Sequence, residues 1–186
     1  MPDAFIPDPP GVTRVRARER AARISNVACA LTLRIPEDRA DEIRGSLTAS
    51  FDLTTAATPL VLDFAQDAGR AIALLVNGHP TDPTVTNGHL IVPPAPLNAG
   101  PNTIACDFVA GGRGVHRQDG LIYSLFVPDK ASSVFPCFDQ PDIKVRWTLT
   151  LEAPSGWRPV SNGRDAGRSA VDMRETFMFA ETPPLP

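Results

Sequence analysis

From Asn26 onward the apolar positions recur with a period of two. Cys29, Leu31, Leu33 and Ile35 alternate with Ala30, Thr32 and Arg34, and Leu47, Ala49, Phe51 and Leu53 alternate with Thr48, Ser50 and Asp52. Side chains of a strand point alternately to its two faces, so both stretches predict half-buried strands. Pro59–Phe64, Ala71–Val76, His89–Val92 and Leu97–Val109 predict further strands, the last after a turn at Gly100-Pro101. Val145, Trp147, Leu149 and Leu151 alternate most cleanly, and Met173–Glu181 closes the series. Asn77-Gly78 and Asn87-Gly88 read as two-residue hairpin turns, which need positive φ at both positions, and Asn162-Gly163 reads as a third turn. One segment departs from this period. Thr13–Ile24 predicts a short helix with Thr13 as N-cap, and its five arginines (Arg14, Arg16, Arg18, Arg20, Arg23) predict a solvated face partly neutralised by Glu19. About ten short strands and one helix imply an all-β, antiparallel sandwich or curled sheet.

Composition narrows the class. Twenty prolines among 186 residues, about twice ordinary usage, argue against a helical bundle. A net charge of −3 gives no electrostatic footprint for nucleic acid, and no apolar run is long enough for a membrane helix. Cys29, Cys106 and Cys137 are scattered and form neither a disulfide framework nor a C-x-x-C motif. Cys29 and Cys106 lie in apolar strand patterns and are expected to be buried. Met1–Pro10 has no basic stretch followed by an apolar core, so a cytoplasmic setting is expected. Residues 1–12, with Pro2, Pro7, Pro9 and Pro10, predict a poorly anchored, extended lead-in.

The catalytic inventory is nearly empty. His79, His89 and His116 have no partner at i+4, and H-E-x-x-H, G-x-S-x-G and phosphate-binding glycine motifs are missing from the sequence. His79 follows a turn glycine and His89 opens a strand, so both are expected at the surface. No cofactor is expected for this chain.

One segment says more. In Phe135-Pro136-Cys137-Phe138-Asp139-Gln140-Pro141 two prolines bracket Cys137–Gln140, which reads as a rigid buried turn with Asp139 placed to accept backbone N–H bonds. Phe135–Lys144 resembles the F-P-C-F-D-E/Q-P-x-x-K signature in the N-terminal domain of the M1 zinc aminopeptidases. Neighbouring text is similar to that family too. Gly114–Arg117 resembles the stretch before the signature strand, and Trp147–Leu151 the strand after it. Trp157 with Val160-Ser161-Asn162-Gly163 resembles W-x-x-V-S-N-G, and Phe179–Pro184 resembles the F-x-x-T-P-P linker.

The resemblance implies a saddle-like β domain over residues 13–182, with 183–186 beginning a linker to a catalytic domain not included in this chain. It implies a non-catalytic role: capping the site that removes N-terminal residues from peptides and shaping its pocket. The expected partners are that catalytic domain and peptide substrates, with neither nucleic acid nor membrane. In the family the catalytic domain carries zinc, which activates water. Counting back from Phe135 puts Leu125 and Val127 where many members carry Q-x-E or Q-x-Q, the second residue holding the substrate's α-amine. Ser132 and Ser133 replace arginines common there. Val127 cannot accept a hydrogen bond from an ammonium, so an apolar wall is expected there instead, with plain strand core as the other reading of Leu125 and Val127. On this reading Tyr123–Val127 forms a strand and Leu125, Phe126 and Val127 an exposed apolar patch. The alternative to an aminopeptidase domain is a free-standing β-sandwich used for binding or scaffolding.

Overall fold

A computed structural model describes residues 8–186. Its helix is α1 (Arg14–Arg23), followed directly by β1 (Ile24–Arg34) and then by β2 (Arg44–Leu53), β3 (Leu60–Asp63), β4 (Ala71–Val76) and β5 (His79–Thr81). Next come β6 (Thr84–Thr86), β7 (His89–Val92), β8 (Gly100–Val109), β9 (Val115–Gln118) and β10 (Leu121–Ser124). β11 (Arg146–Pro154), β12 (Asp165–Val171) and β13 (Arg174–Phe179) complete the chain. The strands form an eight-stranded sheet in the order β12-β13-β11-β1-β2-β8-β4-β5, a three-stranded sheet β3-β7-β6, and a hairpin β9-β10.

Pairing is antiparallel throughout except between β1 and β11, which run parallel from Ala28↔Arg146 to Arg34↔Glu152. A parallel partner cannot be reached by a tight turn; here the long excursion from β2 to the signature turn supplies the crossover. The all-β sandwich expected from the alternation is present, with one parallel pair inserted. The turns at Asn77-Gly78 and Asn87-Gly88 have φ of 51° and 80°, and 53° and 77°, as their hairpins require. Asn162-Gly163 lies in a bend without positive φ, and a Cβ on Gly163 would collide with the Ala180 carbonyl. Its glycine is therefore selected by close packing instead of by turn geometry.

β2, β8 and β4 contribute the deepest side chains of the large sheet, including Leu47, Phe51, Ile104, Phe108 and Val76, while β3 and β7 contribute Leu60, Leu62, Leu90 and Val92. Phe64, just after β3, meets Phe108 edge-on with ring centres 6.3 Å apart. Leu31 is buried as its alternation predicts, but Leu33, Trp147, Leu149 and Leu151, expected in the core, are only half-buried. Their alternation is real; the covering layer thins toward the β11–β12 end. Burial of a strand face depends on what lies across it, which a one-strand pattern does not encode.

β5, β6, β9 and β12 lie outside the predicted set. His79–Thr81 contains Pro80, β9 has Val115 as its one apolar residue, and β12 is exposed on both faces, so none shows an apolar period. The lead-in is also better held than expected. Residues 1–7 lie outside the described part, but Asp8 accepts from Arg16 at 2.6 Å, the Asp8 carbonyl accepts from Asn87 at 3.0 Å, and the Pro9 carbonyl lies 3.1 Å from His89 Nε2. At the other end, Val145 and Leu185 exchange backbone hydrogen bonds, and Thr182 bonds to Trp147 through both N–H and Oγ1.

Candidate functional site

Thr13 caps α1 by accepting the Arg16 N–H at 3.1 Å, and the helix lays Arg16, Arg20 and Arg23 along one side. These positions recur at i, i+4 and i+7, the spacing of one helical face. The face is not solvated. Arg20 is 1% and Arg23 4% exposed, which corrects the expectation for these two, while Arg14 and Arg18 are exposed as expected and Glu19 pairs with Arg16 and Arg23. Arg23 donates to the carbonyls of Thr55, Thr58 and Pro59 at 2.6–2.9 Å, filling acceptors in the loop before β3. Arg20 grips Asp63 with two bonds of 2.7 and 2.8 Å and donates to the Val61 carbonyl at 2.8 Å.

Asp63 is the centre of a buried joint. Besides Arg20, its carboxylate accepts the Asp139 N–H at 2.9 Å and faces His89 Nδ1 at 3.1 Å. His89, expected at the surface, is 1% exposed. Both its ring nitrogens face oxygen acceptors, so the doubly protonated, cationic ring satisfies the geometry best. The bond to Asp63 raises its pKa, against the opposing effect of burial. Burial pulls the Asp63 carboxyl upward, but the hydrogen bonds from His89 and Arg20, with the Arg20 charge, hold it below its ordinary value.

The signature turn docks on this joint. Cys137 exchanges backbone hydrogen bonds with Asp63 at 2.7 and 3.0 Å. Phe135 and Phe138 are 3% and 7% exposed: Phe135 packs edge-on against Phe126 and Trp147, and Phe138 against Phe51. The Arg20 guanidinium sits 5.7 Å from the Phe138 ring centre. Gln140 donates to the Ala17 carbonyl of α1 at 2.9 Å. Pro136 is buried and Pro141 exposed at the two ends of the turn. Asp139 accepts one N–H, from Ser132 at 2.9 Å, and burial raises its carboxyl pKa despite that bond. The turn thus ties helix, small sheet and large sheet together. Sequence reasoning found the turn but missed its partners Arg20, Asp63 and His89; the available signal was the i, i+4, i+7 arginine spacing.

Leu125 and Val127 lie elsewhere. β10 ends at Ser124, so the strand expected over Tyr123–Val127 is shorter, and Leu125 continues by donating its N–H to the Gly114 carbonyl at 2.9 Å. Phe126 then turns inward onto Phe135, with ring centres 5.4 Å apart, and leaves the expected patch. Leu125 and Val127 are 49% and 73% exposed, which sets aside the reading of them as strand core. With Leu121 and Tyr123 they make an exposed row at alternate positions, and His116 stacks on Tyr123 at 4.7 Å. A row of this kind can contact an apolar surface but offers no acid, base or nucleophile.

The residues here do not fit a zinc ion. Both ring nitrogens of His89 and both carboxylate oxygens of Asp63 are committed to protein partners, and among the described residues no group of three His, Cys, Asp or Glu could hold a metal. Burial pushes the Cys29 and Cys106 thiols up to about 12, and Cys137 is also raised by burial. Among the described residues, no helix is long and apolar enough to cross a membrane.

Residues 114–186 match the family model for the peptidase M1 N-terminal domain. The match covers 73 of the chain's 186 residues, the signature turn among them. Over 162 residues (81% of this chain, 19% of the relative) it is 25% identical to aminopeptidase N of Streptomyces lividans. Over 79 residues (39% of this chain, 9% of the relative) it is 37% identical to the probable M1 family aminopeptidase 2 of Encephalitozoon cuniculi. The chain therefore spans a fifth or less of the length of these curated relatives. Its fold resembles that of the M1 zinc metallopeptidase of Deinococcus radiodurans, solved with a Tyr-Ser-Ala substrate (TM-score 0.77, 18% identity, 88% of this chain and 40% of that one). Legionella pneumophila aminopeptidase A is similar in fold as well (TM-score 0.77, 17% identity, 88% of this chain and 20% of that one).

Proposed function

We propose that this chain is the N-terminal domain of an M1 zinc metallo-aminopeptidase and caps its catalytic domain, with Leu125 and Val127 forming an apolar wall on the substrate side. The observation that carries the reading is the exposed row Leu121, Tyr123, Leu125 and Val127 on a hairpin braced by Phe126 and Phe135. An apolar row standing clear of a well-packed core is a surface seeking a neighbour, and the named relatives are aminopeptidases. The peptide's α-amine would gain no acceptor from residue 127, so other groups must hold it. In the protein encoded by the complete reading frame, Val127→Glu tests this. Val127 is 73% exposed, so a carboxylate there is accommodated without burial. It would sit near the substrate ammonium and lower KM for a free-amine peptide by up to about 1–3 kcal/mol in binding terms. An unchanged KM in a folded variant would show that residue 127 does not face the amine.

A further inference from the structure

We propose that the β12 edge of the large sheet takes up, as a ninth strand, an extended acidic segment of a partner polypeptide. β12 is the outermost strand at its end of the sheet. Its hairpin with β13 closes on Val171↔Arg174 through the two-residue turn Asp172-Met173. Antiparallel pairs alternate between hydrogen-bonded and open positions. Val171 and Ser169 therefore bond to β13, whereas Arg168 and Ala170 direct their N–H and C=O groups outward. Arg168, Ser169, Ala170 and Val171 are all exposed, so this edge is open to main-chain pairing.

Beside the edge lies a groove of about 320 Å³, with Phe177, Phe179 and Trp157 as its apolar lining and Arg158 and Arg168 at its sides. Among the described residues, neither arginine has a carboxylate within 4.0 Å. The acid beside them, Asp165, accepts the Gly167 N–H at 2.9 Å. Main-chain donors, an apolar floor and two cations that outnumber the one groove acid, Asp165, together select a strand that carries apolar and acidic residues in turn at every second position, because residues at i and i+2 share one face. The same charges argue against a second copy, which would bring its own Arg158 and Arg168 to the edge.

The test uses the 186-residue chain and the capped peptide acetyl-Thr-Leu-Thr-Glu-Thr-Leu-Thr-amide, with a control in which Lys replaces Glu. Backbone amide and Trp157 indole signals are followed by NMR, and sedimentation monitors self-association. The proposal expects saturable shifts centred on Arg168, Ala170 and Trp157, and about tenfold weaker binding of the Lys peptide. Ala170→Pro removes an outward donor on an edge strand, where proline is tolerated, and should abolish binding. Arg168→Glu, which leaves the backbone intact, should erase or invert the preference between the two peptides. Equal affinity for both peptides, no saturable shift at millimolar peptide, or a dimer formed through β12 would each overturn the proposal.

Discussion

Replacing Asp63 with Ala removes the one carboxylate that faces two buried cations. Arg20, 1% exposed, would lose both bonds to the carboxylate and keep only the Val61 carbonyl, while His89 would keep only the Pro9 carbonyl. The Asp139 N–H loses its acceptor as well. Breaking a buried pair by removing one partner strands an uncompensated charge and costs about 3–5 kcal/mol. That is a large share of the ~5–15 kcal/mol that holds a typical domain together. With a urea slope of ~2 kcal/mol/M, the midpoint should fall by about 2 M. The companion variant Arg20→Met/Asp63→Leu, which removes the Arg20–Asp63 pair together, should recover the part of this loss that comes from stranding Arg20, because apolar groups of similar volume replace a buried ion pair at little cost, while His89 and the Asp139 N–H still lack their acceptor. Urea unfolding followed by tryptophan fluorescence reads both. A loss below about 1 kcal/mol for Asp63→Ala would refute the reasoning that this joint organises the fold.

Other predictions follow from the same groups. His89 has a folded pKa raised above its ordinary 6.5, so its contribution is fully present below 6.5 and is lost as pH rises through the folded value. Stability should therefore decline on the alkaline side of 6.5, and His89→Gln should flatten that limb in pH-dependent unfolding. Asp63 is lowered from 3.8, so its contribution is present above 3.8 and disappears as pH falls through its folded value; the Asp63→Ala penalty should shrink in acid. Burial raises the Asp139 carboxyl, so ionisation weakens its contribution as pH rises through the folded value. Asp139→Asn, which keeps an acceptor for Ser132, should cost less than Asp139→Ala, itself about 1–3 kcal/mol by denaturant midpoint. With Cys29 and Cys106 near 12 and Cys137 raised and buried, native protein at pH 8 should resist iodoacetamide, while all three thiols react in urea.

The strands that bury one face were readable because burial writes a period-two pattern into β1, β2 and β8. β9 and β12 were not, since a strand with no fully buried face carries no period. The parallel β1–β11 pair was also hidden, because alternation reports faces and says nothing of direction. Phe138 was legible as a buried turn residue from its place between Pro136 and Pro141, and Phe135 from its place just before them. Arg20, Arg23 and His89 were misread as surface groups because ionisable residues are buried only when partnered, and their partners lie far off in sequence: Arg20 and Asp63 are 43 positions apart. Leu125 and Val127 carried a pattern compatible with core as well as with an exposed patch, and the three-dimensional hairpin turns them outward.

The most direct test of the domain's proposed role is hydrogen exchange across Leu121–Val127, comparing the 186-residue chain with the product of the complete reading frame. If a catalytic domain seats on this exposed row, amides from Leu121 to Val127 should exchange more slowly in the longer protein, while the Asp63–Cys137 bridge should be protected in both. Unchanged exchange at Leu121–Val127 in a folded, longer protein would contradict the account.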